Sequence, residues 1–214
     1  MPLPDFLIDR YKDWKTNTFS KNKSHYSYSE TVKQKPRAMI ISCCDSRVLE
    51  TSFFSANIGD FFIHKNIANI VPPSNFDNNE SAAVISALEY GILSLEVPDL
   101  IIIGHSSCGG IKYSYDKNSK DQIDTNFEYT NNWIKYLKPT FDKLPKKISE
   151  KEKVTLFEKE NIKSSIVNLE TYPFIKNKIV EKKLRVHGLW FQIKTGSIKI
   201  LDTNSGKFED LNYL

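Results

Sequence analysis

The 214-residue sequence is short of several things, and each shortage narrows the reading. Three cysteines cannot build a disulfide framework, so a reducing cytoplasm is the expected compartment, where free thiolates are available to a metal. No apolar run approaches the ~18–20 residues that cross a bilayer. The first residues, Met1 to Trp14, lack a basic start, a clean apolar core and a small-residue cleavage site, so they do not read as a signal peptide. The formal net charge of +4 is mild, and no basic run is interleaved with aromatics. Nucleic acid and membrane are therefore not expected partners. There is no internal repeat and no low-complexity segment. The stretch from Lys143 to Lys153 also holds Glu150 and Glu152, and reads as a solvated loop and helix start.

What is present fits one domain with its own core. Leu3, Phe6, Leu7, Tyr11 and Trp14 recur at helical spacing. That amphipathic helix either lies on a partner subunit or covers its own core, and the latter is the expectation. Ala38-Met39-Ile40-Ile41-Ser42, Phe61-Phe62-Ile63 and Leu100-Ile101-Ile102-Ile103 are short continuous apolar runs that read as buried strands. Between them, Asn79 is placed to cap a helix carrying Ala82, Ala83, Ile85, Leu88, Tyr90 and Ile92, apolar almost all round and so expected to be well buried. A polar, helix-forming region runs from Gly109 to about Leu169, with Ile162, Ile166 and Leu169 at helical spacing. Leu184–Ile193 and Ile198–Leu201 read as a hairpin around Thr195-Gly196. The fold class is α/β: a mostly parallel central sheet flanked by helices, with a helical arm in front and a late antiparallel hairpin.

Two motifs begin where strands end: Cys43-Cys44-Asp45-Ser46-Arg47, and Gly104-His105-Ser106-Ser107-Cys108-Gly109-Gly110. Sites in open parallel sheets gather at the carboxyl ends of strands. Taken singly, a cysteine or a His-x-x-Cys is usually structural. Together, Cys43, His105 and Cys108 supply the sulfur and imidazole donors that zinc takes, and three protein ligands leave a fourth position open. Glycines 104, 109 and 110 are read as giving the second motif its freedom to turn. Alternation along an extended segment puts Asp45 on the side of Cys43 and leaves Cys44 as a small buried residue. Arg47 beside Asp45 keeps that carboxylate ionised and oriented. His25, His64 and His187 have no such company. Ser106 sits in a near match to a serine-hydrolase elbow, but Cys108 stands where the elbow needs glycine, and no acid is well marked to support His187.

Cys43-x-Asp45-Ser46-Arg47 with His105-x-x-Cys108-Gly109-Gly110 resembles the signature of the β-class carbonic anhydrases. The likeness continues through Asn66-Ile67-Ala68-Asn69, Ser81-Ala82-Ala83, Leu88-Glu89-Tyr90 and His187-Gly188-Leu189-Trp190-Phe191, and Val71-Pro72-Pro73 gives it a bacterial look. The resemblance implies one domain over 1–214, with an arm over 1–35 and a zinc-binding core over 36–214. It implies zinc on Cys43, His105 and Cys108, an Asp45–Arg47 dyad that orients water, and attack of zinc hydroxide on carbon dioxide to give bicarbonate. It places Gln34, Phe62, Ile67 and Tyr90 around the substrate, in a pocket at the interface of a homodimer or a larger dimer-based oligomer. Two positions depart from the pattern: Lys65 stands where arginine is common, and Ile40 stands where members with a bicarbonate-closed state carry tryptophan. Ile40 implies the open form, with Asp45 on Arg47. A related hydrolase of carbonyl sulfide or carbon disulfide is the first alternative. A zinc-stabilised scaffold or thiol sensor using the Cys43-Cys44 pair is the second.

Overall fold

In a computed structural model describing residues 2–75, 78–120 and 126–211, with the side chains of 78–80 outside the description, six strands form one sheet. They are β1 (Ala38–Cys43), β2 (Phe61–Asn66), β3 (Asp99–His105), β4 (Arg185–Gln192), β5 (Ser197–Asp202) and β6 (Lys207–Asp210), in the order β2-β1-β3-β4-β5-β6. The β2-β1, β1-β3 and β3-β4 pairs are parallel. The β4-β5 and β5-β6 pairs are antiparallel. All six residues of β1 are buried, as a continuous apolar run covered on both faces requires. After β1 the chain adds β2 on one side, and β3 later joins on the other. The crevice of this switch point lies at the carboxyl ends of β1 and β3, where Cys43 and His105 sit. The late hairpin forms as expected, with β6 as an additional edge strand.

Among the described residues the helices are α1 (Asp5–Trp14), α2 (Lys23–Thr31), α3 (Glu50–Phe53), α4 (Asn78–Glu89), α5 (Gly109–Lys120), α6 (Glu128–Ile134), α7 (Lys138–Phe141), α8 (Glu150–Leu169) and α9 (Pro173–Val180). The start of α8 is fixed by a reciprocal capping box between Ser149 and Glu152. This helix lies on β3 and β4, and Ile162 is fully buried against them. A Cβ at Gly104 would come 2.7 Å from Ile162 Cδ1, and one at Gly188 would come 2.9 Å from Ile162 Cγ2. Those two strand positions must be bare for α8 to approach. Met39, Ile41, Leu88, Leu100, Ile102 and Ile162 form the core on this face. Ile40, Ile103, Leu189 and Phe191 form the core on the other, where Phe53 stacks on Phe191 with ring centroids 4.8 Å apart.

Three expectations need correction. Helix α1 buries none of its residues, so it does not cover its own core; Phe6 is 57% and Tyr11 58% exposed. An apolar stripe gives the face of a helix but not what lies against it. Helix α4 is buried on one side only: Val84 and Leu88 face the core, while Ala82 and Ala83 are exposed, as is Tyr90 just past its end. It also begins at Asn78, so Asn79 lies inside its first turn, and the side chain read as the cap falls outside the description.

Candidate metal centre

Cys43 closes β1, and its neighbour continues the ladder, with Cys44 N–H donating to the Asn66 carbonyl at 3.0 Å. Beyond it the chain turns, and Asp45 Oδ1 accepts the backbone N–H of Arg47 at 3.0 Å. His105 closes β3. Ser107 then takes a left-handed conformation, with φ 57°, and delivers Cys108 to the amino end of α5. The residue that turns this motif is therefore a serine, not one of its glycines, none of which has positive φ. Gly110 is needed for space: a Cβ there would come 2.6 Å from Ile67 Cγ2. The N–H groups of Gly110 and Ile111, at the start of α5, act to lower the Cys108 thiol, the effect by which helix starts favour a thiolate.

The donor atoms of Cys43, His105 and Cys108 lie within 4.8 Å of one another, and all three residues are buried. The two sulfurs are 3.8 Å apart. Zinc–sulfur bonds of about 2.3 Å at a tetrahedral angle require about 3.8 Å between sulfurs, so the pair fits a zinc-sized ion without rearrangement. His105 Nδ1 lies 3.0 Å from the Ser106 carbonyl. A carbonyl only accepts, so Nδ1 carries the proton and Nε2 presents its lone pair. That Nε2 is buried and has no hydrogen-bond partner among the described residues. Hydrogen bonding between the thiols pulls Cys43 down to about 4, against the effect of burial. The same contact, with burial, pushes Cys108 up. A cation bound here takes both sulfurs as thiolates, so binding releases whatever protons they carry.

Asp45 faces Arg47. Arg47 Nε donates to Oδ1 at 2.9 Å and Nη2 to Oδ2 at 2.7 Å. These bonds hold the Asp45 carboxyl well below its ordinary range. Nη2 also donates to the Ser107 carbonyl at 3.1 Å, which ties the two motifs together. Asp45 Oδ2 stands 3.9 Å from His105 Nε2, beside the donors. Lys65 donates to both Glu50 oxygens, at 2.8 and 3.1 Å, and to the Val48 carbonyl at 2.9 Å, so it braces the loop that carries Asp45 and Arg47. Cys44 is exposed, which corrects its reading as a small buried residue.

The nucleophile-elbow alternative fails on placement. Ser106 Oγ accepts the Ile193 N–H at 3.0 Å, and its backbone N–H donates to the Phe191 carbonyl. His187 is bound to Asp99, at 2.8 Å, four residues back along β4 from Phe191, about 13 Å away.

The carbonic anhydrase family model matches residues 38–198. Beta carbonic anhydrase 3 of Arabidopsis thaliana is 34% identical over 192 residues, 87% of this chain and 72% of that protein. The chain belongs to the β-class carbonic anhydrases. A carbonic anhydrase of Helicobacter pylori is 31% identical over 93% of this chain and 90% of its own length. The structure of the β-carbonic anhydrase CcaA superposes with a TM-score of 0.88 at 25% identity, covering 98% of this chain and 92% of that one. Two tetrameric β-carbonic anhydrases of Sordaria macrospora give a structure with a TM-score of 0.73 at 25% identity, covering 98% and 96%.

One chain of this carbonic anhydrase does not gather all four residues read as surrounding substrate. Ile67 adjoins Gly110 and so lies at the ligand turn. Phe62 pairs in register with Met39, four residues before Cys43, about 13 Å back along the strand. It packs on Tyr90, ring centroids 5.8 Å apart, and Tyr90 is 48% exposed. Gln34 is exposed ahead of β1. A cavity of about 520 Å³ lies elsewhere, between α7 and α8, and none of its lining residues is a donor or a dyad member. Sequence reasoning missed the polar face of α8. Glu158, Asn161, Ser165 and Asn168 are spaced three and four apart, next to the apolar Ile162, Ile166 and Leu169 stripe. Glu158 is 3% exposed; burial pushes its carboxyl up, and the N–H groups of Cys108 and Trp190 pull it back. Among the described residues no helix is long and apolar enough to cross a membrane.

Proposed function

We propose that Cys43, His105 and Cys108 hold zinc and that the chain hydrates carbon dioxide reversibly to bicarbonate and a proton. One observation carries the reading: three buried donors, the two sulfurs at tetrahedral spacing, converge beside a carboxylate already locked by a guanidinium. Two sulfurs and one imidazole nitrogen are a zinc-type donor set with one position left open. Zinc bound there supplies the Lewis acidity that makes water a nucleophile near neutral pH. Asp45 accepts a hydrogen bond from the attacking water and so aims it at carbon. Arg47 keeps Asp45 an acceptor by keeping it ionised. His105, with Nδ1 tied to Ser106, cannot swivel out of line. Ile67 lends an apolar wall to a site for a nonpolar gas.

A second copy of the chain completes the pocket in this reading. Helix α1 buries nothing, and Tyr90 and Leu93 are exposed apolar positions beside β2, the edge strand of the sheet. Pairing two chains there covers these surfaces and brings Gln34, Phe62 and Tyr90 of one subunit toward the metal of the other.

The test is proton release on mixing zinc-loaded protein with dissolved carbon dioxide, followed by an indicator dye. Rapid release is expected, with kcat falling by about 10² or more in Asp45→Asn. Absence of activity from neutral to alkaline pH would sink the proposal. Parallel assays on carbonyl sulfide and carbon disulfide separate the hydratase from its hydrolase alternative.

A further inference from the structure

Helix α8 presents four polar side chains on one face, at steps of three, four and three residues. Three of them grip the backbone that follows β2. Asn161 Nδ2 donates to the Ala68 carbonyl at 2.7 Å, and Asn168 Nδ2 to the Val71 carbonyl at 2.8 Å. Ser165 Oγ donates to the Asn69 carbonyl at 3.3 Å and accepts the Val71 N–H at 3.1 Å. The fourth, Glu158, reaches the other strand end. Its Oε1 accepts the Cys108 N–H at 3.2 Å. Its Oε2 accepts the Trp190 indole N–H at 3.2 Å. One side chain therefore joins α8, the left-handed turn at Ser107 and β4.

The chemistry needs a carboxylate. Donors face both oxygens, so an amide in either orientation would set its NH2 against an N–H. A buried charge is costly unless its partners compensate, and here the partners include the backbone of a ligand residue. We propose that Glu158 is a positioning residue for the metal centre: by holding the Ser107–Cys108 backbone it fixes the direction in which the Cys108 thiolate is aimed. The proposal rests on the zinc reading above. Groups that orient metal ligands without touching the metal typically change affinity by roughly 10–100-fold.

The experiment compares zinc-loaded unmutated protein with Glu158→Gln, in the rate of zinc loss to a chelator and in the thiolate-to-metal and d–d absorption after cobalt substitution. At least tenfold faster zinc loss is expected, with shifted cobalt bands. Adding Trp190→Phe removes the donor facing Oε2, lets the amide turn its oxygen to the Cys108 N–H, and is expected to restore retention to within about threefold of Trp190→Phe alone. Zinc loss within twofold of the unmutated protein and unmoved cobalt bands in Glu158→Gln overturn the proposal, and so does absence of recovery in the double variant. Hydrogen exchange in the unmutated holoenzyme needs no variant to fold. The Cys108 amide is expected to be protected, and exchange as fast as in an open loop overturns the proposal. An unmutated protein that binds no zinc fails the metal reading itself, whereas one that keeps zinc no better than Glu158→Gln fails only this inference.

Discussion

Replacing Lys65 with methionine tests how the loop bearing Asp45 and Arg47 is held. Glu50 is 3% exposed, and its carboxylate oxygens lie 2.8 and 3.1 Å from Lys65 Nζ. Methionine fills similar space but leaves Glu50 without its cation and the Val48 carbonyl without its donor. Breaking one partner of a buried pair costs about 3–5 kcal/mol. The lysine side chain is 32% exposed, so water reaches part of the gap and discounts the cost to below that range, about 2–3 kcal/mol. For 214 residues at about 2.1 cal/mol/K each, the unfolding entropy near the midpoint is about 0.45 kcal/mol/K. The expected fall in Tm is therefore roughly 6 °C. Scanning calorimetry of Lys65→Met, Glu50→Gln and the double variant measures it. The double variant should recover much of the loss, since no charge is then left stranded. Tm in Lys65→Met within 1 °C of the unmutated protein would refute the reasoning, because the pair would then be replaceable by water.

Four further outcomes are expected. Cys43→Ser should abolish stoichiometric zinc while Cys44→Ser keeps it, by metal analysis after dialysis; equal loss from both points instead to a vicinal-thiol sensor. Gly104→Ala places a Cβ 2.7 Å from Ile162 Cδ1, and should cost about 1–3 kcal/mol by denaturant titration, with partial recovery on adding Ile162→Val. Burial alone would raise Asp99, but hydrogen bonds from Arg185 and His187 outweigh it and hold its carboxyl low. A carboxyl held low in the fold adds stability above its unfolded pKa of about 3.9 and loses it as pH falls further. The Tm gap between the unmutated protein and Asp99→Asn should be steady above about pH 5 and narrow on acidification; a widening gap contradicts the pairing. Deleting residues 2–32 should lower the oligomeric mass by light scattering without melting the sheet, because α1 and α2 bury none of their residues.

Legibility in the sequence followed the physics of each element. Runs such as Leu100–Ile103 announce a strand covered on both faces, and their ends locate the metal donors. In contrast, β6 reads Lys-Phe-Glu-Asp, with one apolar residue on an edge that asks for little burial. Ser107 carries no mark of its left-handed backbone, which comes from the contacts of its neighbours and not from its side chain. Cys44 was placed by alternation alone, which gives direction but not cover. The polar face of α8 was hidden because its partners, apart from the Trp190 indole, are backbone groups, and these are within reach only once the strands have brought their ends together.

Cys43 and Cys108 are 65 residues apart in sequence, yet their sulfurs nearly touch. A cation held by both is a crosslink as well as a reagent. Closing a loop of that length restricts the unfolded chain by about 4 kcal/mol on the chain-entropy model used for disulfides. On the function proposed above, the ion that equips the site for chemistry would also clasp β1 to the start of α5, and zinc supply would set how firmly the protein stays folded as well as how fast it works.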